Sequence, residues 1–391
     1  MVIQLTTKVI NIKLLFITRG FPPYRGGTEN YIWEIYKRLL KNHEIQLITY
    51  YHKNRKKDNS IHEITQLKTN NKFLEFLNFF FSSLKMAPFL DYDLIHAVTY
   101  PSGLSGILPK FVSGKPLVIT IHDIGVIEKE INTSPFTKSL KGFLQGIICN
   151  MADAIIVPSE KVRNDIVKYH DVVRSKIFIT PYGFDADAFN ENVKKGVMRK
   201  KWKLKDKQVI LYVGMYSAKK GLEYLIEAMN EVKKEISNAV LVIAGPAIDA
   251  NYEKKIKNLV VEMNLEDNII FTGYFEEKYK PNVYADADIV VEPTLYGMGY
   301  SFACIEANAI GKPVVASKLL EEIGVVKNGV NGIVVPLRDS KSIAEALINL
   351  LKDKKLYERL SKNAISLAKK FDWEETAKLT EKVYEKVLGK F

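Results

Sequence analysis

Cysteine is nearly missing from this 391-residue chain: two occur, Cys149 and Cys304, each inside an apolar segment. So few thiols cannot build a disulfide framework, and the usage fits a reducing cytoplasm. Long apolar runs are missing too. No stretch reaches the roughly 18 uncharged apolar residues that a helix needs to cross a bilayer. The opening, MVIQLTTKVINIKLLFIT, is broken by Lys8 and Lys13 and has no small-residue cleavage site. It is expected to be a lead-in to a buried strand, not a secretory leader. Low-complexity tracts and short repeats are absent, which excludes a repeat array. The dinucleotide fingerprint GxGxxG does not occur, and this weighs against a nicotinamide dehydrogenase.

Acidic charge is scarce in the first half. Residues 1–200 hold 28 Lys and Arg against 18 Asp and Glu, which is +10 of the net +12; the remainder holds 29 against 27. A basic half suggests an anionic partner: nucleic acid, acidic lipid headgroups or phosphorylated substrates. No recognition helix or aromatic RNA motif accompanies it, so nucleic acid is not expected as a partner. The segment HKNRKKDN at 52–59, followed by FLEFLNFFFSSLKMAPFL at 73–90, admits two readings. One is a solvated loop leading into a core helix. The other is a basic, aromatic surface that lies against a membrane.

What is present is an alternation of short β-branched runs and amphipathic segments over a length that suggests two domains. It implies α/β architecture with parallel sheets covered by helices. Strands are predicted near 12–18, 45–50, 93–98, 117–121, 154–157 and 177–179, then near 208–213, 240–243, 268–271, 289–291, 313–316 and 333–335. A helix from about Thr28, with that threonine as its cap, carries apolar residues at Ile32, Ile35, Leu39 and Leu40. Further helices are predicted at 221–235 and 301–310, and FDWEETAKLTEKVYEKVL closes the chain as a strongly amphipathic one. The two halves meet near 183–187.

In open α/β sheets ligands bind at the carboxyl ends of strands, where backbone N–H groups and helix N-termini favour anions. Four loops have that character. TRGFPPYRGGTEN places Gly26 and Gly27 just before a helix, where backbone could approach a phosphate or simply turn tightly. His122 and Asp123 follow a predicted central strand, as ligand contacts or as structural residues. Gly214 ends another strand, with Lys219 and Lys220 in the following loop, either phosphate-binding or solvated. PTLYGMGYS precedes Glu306, a carboxylate between Ile305 and Ala307. Burying it bare is costly, so it must be solvated, paired or holding a ligand.

The ordered series resembles the family-four retaining glycosyltransferases of the GT-B fold over nearly the whole chain. It comprises the Gly26-Gly27 loop, the His122-Asp123 pair, VPSE at 157–160, PYGFD at 181–185, VGxxxxxKG at 213–221 and LVIAGPA at 241–247. NIIFTGYF at 268–275, YADADIVVEPT at 284–294 and EANAIGKPVVAS at 306–317 complete it. The resemblance implies two Rossmann-like domains facing across a cleft: residues 1–183 on the acceptor side, 184–372 binding the nucleotide sugar, and a helix at 373–391 crossing back onto the first domain. It implies retaining transfer of a sugar, of the hexosyl type, from a nucleotide-diphosphate sugar to an acceptor hydroxyl, without metal or other cofactor. Lysine, backbone N–H groups and a helix N-terminus would stabilise the departing diphosphate. By the same resemblance Gly26, Gly27 and Gly214 bring backbone to the donor and Lys220 neutralises the diphosphate. His122 lies by the transferred sugar, the catalytic position; Tyr300, Ser301 and Phe302 belong to the donor loop, and Glu306 binds the ribose hydroxyls. With the basic first half, the expected acceptor is a lipid-linked or membrane-surface glycan. The expected location is the cytoplasm, peripheral on the inner face of the cell membrane and touching anionic lipid.

Two positions depart from the family pattern. Its phosphate-binding arginine is Met215 here, with Lys219 as a candidate replacement. The first glutamate of its E-x7-E motif falls on Met298, or on Tyr296 in a gapped register. One lost charge-assisted contact costs about 1.5–3 kcal/mol, roughly one to two decades of affinity. The altered site leaves a second reading, an impaired homologue that binds nucleotide or supports a partner transferase.

Overall fold

The structure is a computed structural model and describes residues 11–24, 26–69, 71–124, 135–296 and 300–389. The chain divides into two compact units: residues 1–182 with 373–391, and residues 183–372.

The first unit is built on seven parallel strands: β1 (Lys13–Ile17), β2 (Glu44–Tyr50), β3 (Ile61–Ile64), β4 (Leu94–Val98), β5 (Leu117–Thr120), β6 (Ala154–Val157) and β7 (Ile177–Ile179). Their order is β3-β2-β1-β4-β5-β6-β7. The direction of winding therefore reverses between β1 and β4, and the loops that leave these two strands part to form a crevice at the carboxyl edge. Segments such as LIHAV are buried along their whole length because helices cover both faces of a parallel sheet.

The second unit repeats the plan with β8 (Gln208–Val213), β9 (Ala239–Ala244), β10 (Ile269–Gly273), β11 (Ile289–Glu292), β12 (Val314–Ser317) and β13 (Gly332–Val335), ordered β10-β9-β8-β11-β12-β13. Period-two alternation divides each strand between two cores. Ile210, Tyr212, Leu241 and Ile243 enter one. Val209, Leu211, Val240 and Val242 enter the other. Here the winding reverses between β8 and β11.

The last helix, Trp373–Val387, belongs to the first unit. Its Tyr384 hydroxyl lies 2.6 Å from Nδ1 of the buried His96. The Thr376 hydroxyl donates to the Pro181 carbonyl at 2.6 Å, and Trp373 stacks on Tyr182 with ring centroids 6.2 Å apart. Glu374 pairs with Arg38 at 3.2 Å, and the Glu381 carboxylate lies 3.1 Å from Nε2 of the buried His43.

Three local expectations need correction. The first helix runs Gly27–Leu39 with Gly26 at its cap and no side-chain capping bond, so Thr28 lies inside the first turn. The IHEI of β3 was not recognised as a strand; it is a short edge segment with only two apolar residues. The basic run before it is not simply solvated. Arg55 donates to the Pro22, Tyr50 and Phe21 carbonyls at 2.8, 2.8 and 2.9 Å and pairs with Glu63, so it braces the loops leaving β1 and β2. The helix that follows, Lys72–Met86, is capped by Asn71 and buries Phe79 and Ser83. It leaves Phe73, Leu74 and Phe81 exposed, and Phe89 just beyond it is 88% exposed.

Candidate active site

In the second unit the loops leaving β8 and β11 meet at the reversal point. Gly214 adopts φ +133°, open to glycine, and the next strand's exit is as tight: a Cβ on Gly245 would stand 2.3 Å from the Gly214 carbonyl oxygen. Behind Met215 the chain makes a short turn, Ala218–Lys220, and Gly221 (φ +67°) starts the helix Leu222–Glu235. A Cβ on Gly221 would come within 2.5 Å of the Pro293 carbonyl, while the Leu295 N–H donates to the Lys219 carbonyl at 2.8 Å. Glycine is thus what lets the lysine loop lie against the β11 exit.

That packing fixes Lys220. Its Nζ donates to Glu292 Oε1 at 3.1 Å and lies 3.3 Å from the Thr294 hydroxyl, which itself bonds the same carboxylate oxygen. Glu292 is 2% exposed, so the pair is held in a dry setting where its attraction is strong. Lys219, next in the loop, has no side-chain partner among the described residues and remains free to meet an anion. Met215 points outward, 53% exposed, and only its carbonyl is used, accepting from the Tyr212 hydroxyl at 3.1 Å. Sequence reasoning missed Glu292; the signal was a carboxylate ending the apolar run IVVE.

Glu306 lies in the helix Phe302–Ala309, whose cap is Ser301, its hydroxyl accepting from the Cys304 N–H at 3.3 Å. The carboxylate is paired. Oε1 accepts from Lys280 Nζ at 2.7 Å and Oε2 from the Tyr284 hydroxyl at 2.8 Å. Burial pushes its carboxyl above the usual range, against the opposing pull of Lys280. Of the three states open to this group the structure selects the paired one, and only its remaining lone pairs could accept from a diol. Both partners sit one turn apart on the helix Lys280–Ala285. Tyr300 and Phe302 pack edge to face, 5.9 Å between centroids, and Tyr300 also reaches Phe371. Met298 lies outside the described residues.

In the first unit His122 follows β5. Its Nδ1 bonds the Tyr182 hydroxyl, and Tyr31 packs edge-on at 5.2 Å. Nε2 is buried with no hydrogen-bond partner among the described residues. Burial pushes the imidazole down to about 4, so it is neutral at neutral pH. A neutral ring with one free nitrogen can donate to or accept from a hydroxyl, which suits a catalytic or positioning group. Gly27 is the first residue of its helix, and Gly26 sits beside Glu29, as does Gly20: a Cβ on Gly26 would stand 2.3 Å from Glu29 Oε2. Gly20 and Gly26 thus clear space for a carboxylate, a role not evident from the sequence. No cluster of His, Cys, Asp and Glu suited to a metal exists among the described residues.

Two Rossmann-like units, each with polar groups at its reversal point, define a glycosyltransferase of the GT-B fold. Comparison with known proteins agrees. Residues 194–367 match the model "Glycosyl transferases group 1", and residues 25–188 match "Glycosyltransferase Family 4". The chain belongs to glycosyltransferase family 4. It is 26% identical over 281 residues to the alpha-D-kanosaminyltransferase of Streptomyces kanamyceticus, covering 70% of this chain and 72% of that one. It is 26% identical over 304 residues to the D-inositol 3-phosphate glycosyltransferase of Corynebacterium efficiens, covering 75% and 71%. The fold superposes on Anabaena HepE in complex with UDP and glucose, with TM-score 0.80, 19% identity and coverage of 96% and 100%. Thermosynechococcus elongatus sucrose-phosphate synthase gives TM-score 0.83 at 21% identity, covering 97% and 100%.

Proposed function

We propose that this glycosyltransferase moves a hexose from a nucleotide-diphosphate sugar to an acceptor hydroxyl with retention at the anomeric carbon and without a metal. The observation that carries this reading is the lysine loop at the β8/β11 reversal. Lys220 is preset by Glu292 and Thr294, and Lys219 beside it has no side-chain partner among the described residues. Two ammonium groups at the carboxyl edge can take up the negative charge that develops on a departing diphosphate, the work an arginine or metal would otherwise do. Lys219 then stands in for the arginine replaced by Met215. Glu306 contributes to the ribose by sharing lone pairs it already commits to Lys280 and Tyr284. His122, neutral, addresses the transferred sugar through Nε2. The leaving phosphate assists removal of the acceptor proton, and no enzymic nucleophile is assigned.

The acceptor side belongs to the first unit. Its exposed Phe73, Phe81 and Phe89, in a basic half, support an acceptor at an anionic membrane surface on the cytoplasmic side. No helix among the described residues is long and apolar enough to cross a membrane, so contact would be peripheral.

Met215 favours a second reading, a nucleotide-binding subunit without turnover. One experiment separates the two. Ligand-observed NMR with UDP-, GDP- and ADP-sugars, followed for hours, should show transfer to ribose and sugar protons and slow release of free sugar with one donor. UDP-glucose is the first probe, since HepE is known with UDP and glucose. Binding of the nucleotide part with no sugar contact and no release would favour the subunit reading; no binding at all would defeat both.

A further inference from the structure

A cavity of about 360 Å³ opens at the carboxyl edge of the first unit's sheet, over the β1/β4 reversal. Its walls come from the exits of all four strands on that side: Thr18 and Arg19 after β1, Tyr50 from β2, Gln66 after β3 and Thr99 after β4. The first turns of two helices add Glu29 and Glu75. Its size is at the lower end of the roughly 300–1,000 Å³ of small-molecule clefts.

The cavity's charge runs against that of the half that contains it. Arg19 lies 3.8 Å from Glu75 and over the Tyr50 ring, so those two charges offset. Glu29 has no ion-pair or hydrogen-bond partner among the described residues, and Gly20 and Gly26 flank it closely. A Cβ on either would stand 2.2 or 2.3 Å from one of its oxygens. Arg19 Nε is buried without an acceptor among the described residues. The Gln66 amide nitrogen is committed to the Tyr24 hydroxyl at 2.9 Å, which leaves its carbonyl oxygen open. Thr99 holds φ +72°, a conformation costly for a β-branched residue, and such strain gathers at binding sites. Among the described walls, then, the surplus is of acceptors and of one negative charge.

Resting on the transferase reading above, we propose that this cavity holds the acceptor's terminal ring and that the ring is an uncharged or amine-bearing polyol. Its hydroxyls or ammonium donate to Glu29 and Gln66, and one ring oxygen accepts from the partly exposed Arg19 guanidinium. A phosphorylated ring is turned away, because its charge would face an unpaired carboxylate. The basic surface of the unit therefore serves the surroundings of the acceptor, while the reacting ring is selected by an acidic pocket.

The test is binding to the full chain without donor, read by saturation-transfer NMR. The probes are methyl glucoside, methyl glucosaminide, myo-inositol, glucose 6-phosphate and inositol phosphate, with UDP binding measured separately. At least one unphosphorylated ring should bind and its phosphate should bind at least tenfold more weakly. Glu29→Gln should weaken the aminated ring about 10- to 100-fold, the scale of one charge-assisted contact. Gly26→Ala should do the same by displacing the carboxylate, since its φ of 167° is open to any residue. Glu29→Gln should keep UDP binding, which reports an intact fold. Tighter binding of the phosphates, failure of every ring to bind, or unchanged ring affinity in both variants overturns the proposal. Ring binding with no donor binding would keep the pocket and sink the transferase reading instead.

Discussion

On the proposed reading, the Lys220–Glu292 ion pair ties stability to donor binding. Removing the lysine leaves a carboxylate buried and uncompensated, which costs about 3–5 kcal/mol. Lys220→Met should therefore lower both the unfolding midpoint and the donor affinity, the latter by one to two decades. The double variant Lys220→Met/Glu292→Gln should recover most of the stability and none of the affinity. Recovery of affinity in the double variant would show that Lys220 does not touch the diphosphate. A second residue-scale consequence concerns His96 and His122, which burial pushes down to about 3 and about 4. Each binds a proton in the unfolded chain near pH 6.5 and not in the folded one, so stability is full above that pH and falls as pH drops towards 4. The half-buried His62 and His170 shift the same way. Two protons amount to about 2.7 kcal/mol per pH unit. Urea midpoints at pH 7.0 and 5.5 should differ clearly, and His96→Gln should reduce the difference; a flat profile would contradict the burial of both rings.

At the scale of elements, the closing helix Trp373–Val387 completes the first unit's core through Trp373 and Tyr384, both fully buried. A chain stopped at Asp372 should lose the cooperative unfolding of the first unit and keep that of the second, seen as one lost transition by calorimetry. The fragment 183–372, whose cores are its own, should fold and bind nucleotide sugar alone. Two undiminished transitions in the truncated chain would be the contrary result. Most elements were legible in the sequence because a parallel sheet covered on both faces demands apolar runs, and QVILYV, AVLVIA and the IVV of β11 supply them. The short strand β3 was not, since its alternation of two apolar and two polar residues carries little signal. The site was legible only in part. Lys220 and His122 stand at strand exits that glycine and strand ends announce. The partners of Glu306 are invisible in one dimension, because Lys280 and Tyr284 lie 26 and 22 residues away. In one dimension nothing marks Glu29, because the closeness of Gly20 and Gly26 to its carboxylate is a feature of the folded chain.

For the molecule as a whole, a basic half with exposed phenylalanines predicts recruitment to anionic vesicles. Flotation with phosphatidylglycerol vesicles should be strong at low salt and weaken as salt rises. It should fall several-fold in Phe73→Ser/Phe81→Ser while donor binding is unchanged; equal recruitment of the variant would remove that surface from the account. The way the chain threads its two units has another consequence. Residues 183–372 begin and end at neighbouring points, the Phe184 N–H meeting the Phe371 carbonyl at 3.4 Å. They are an insertion into the first unit, whose helix Trp373–Val387 comes after them in the chain. During synthesis residues 183–372 can fold as soon as they clear the ribosome, while the earlier-made unit must wait, one helix short, until Trp373–Val387 has followed them out. The unit begun second can thus be finished first, and a chain released before Trp373 carries one complete unit beside one that lacks part of its core.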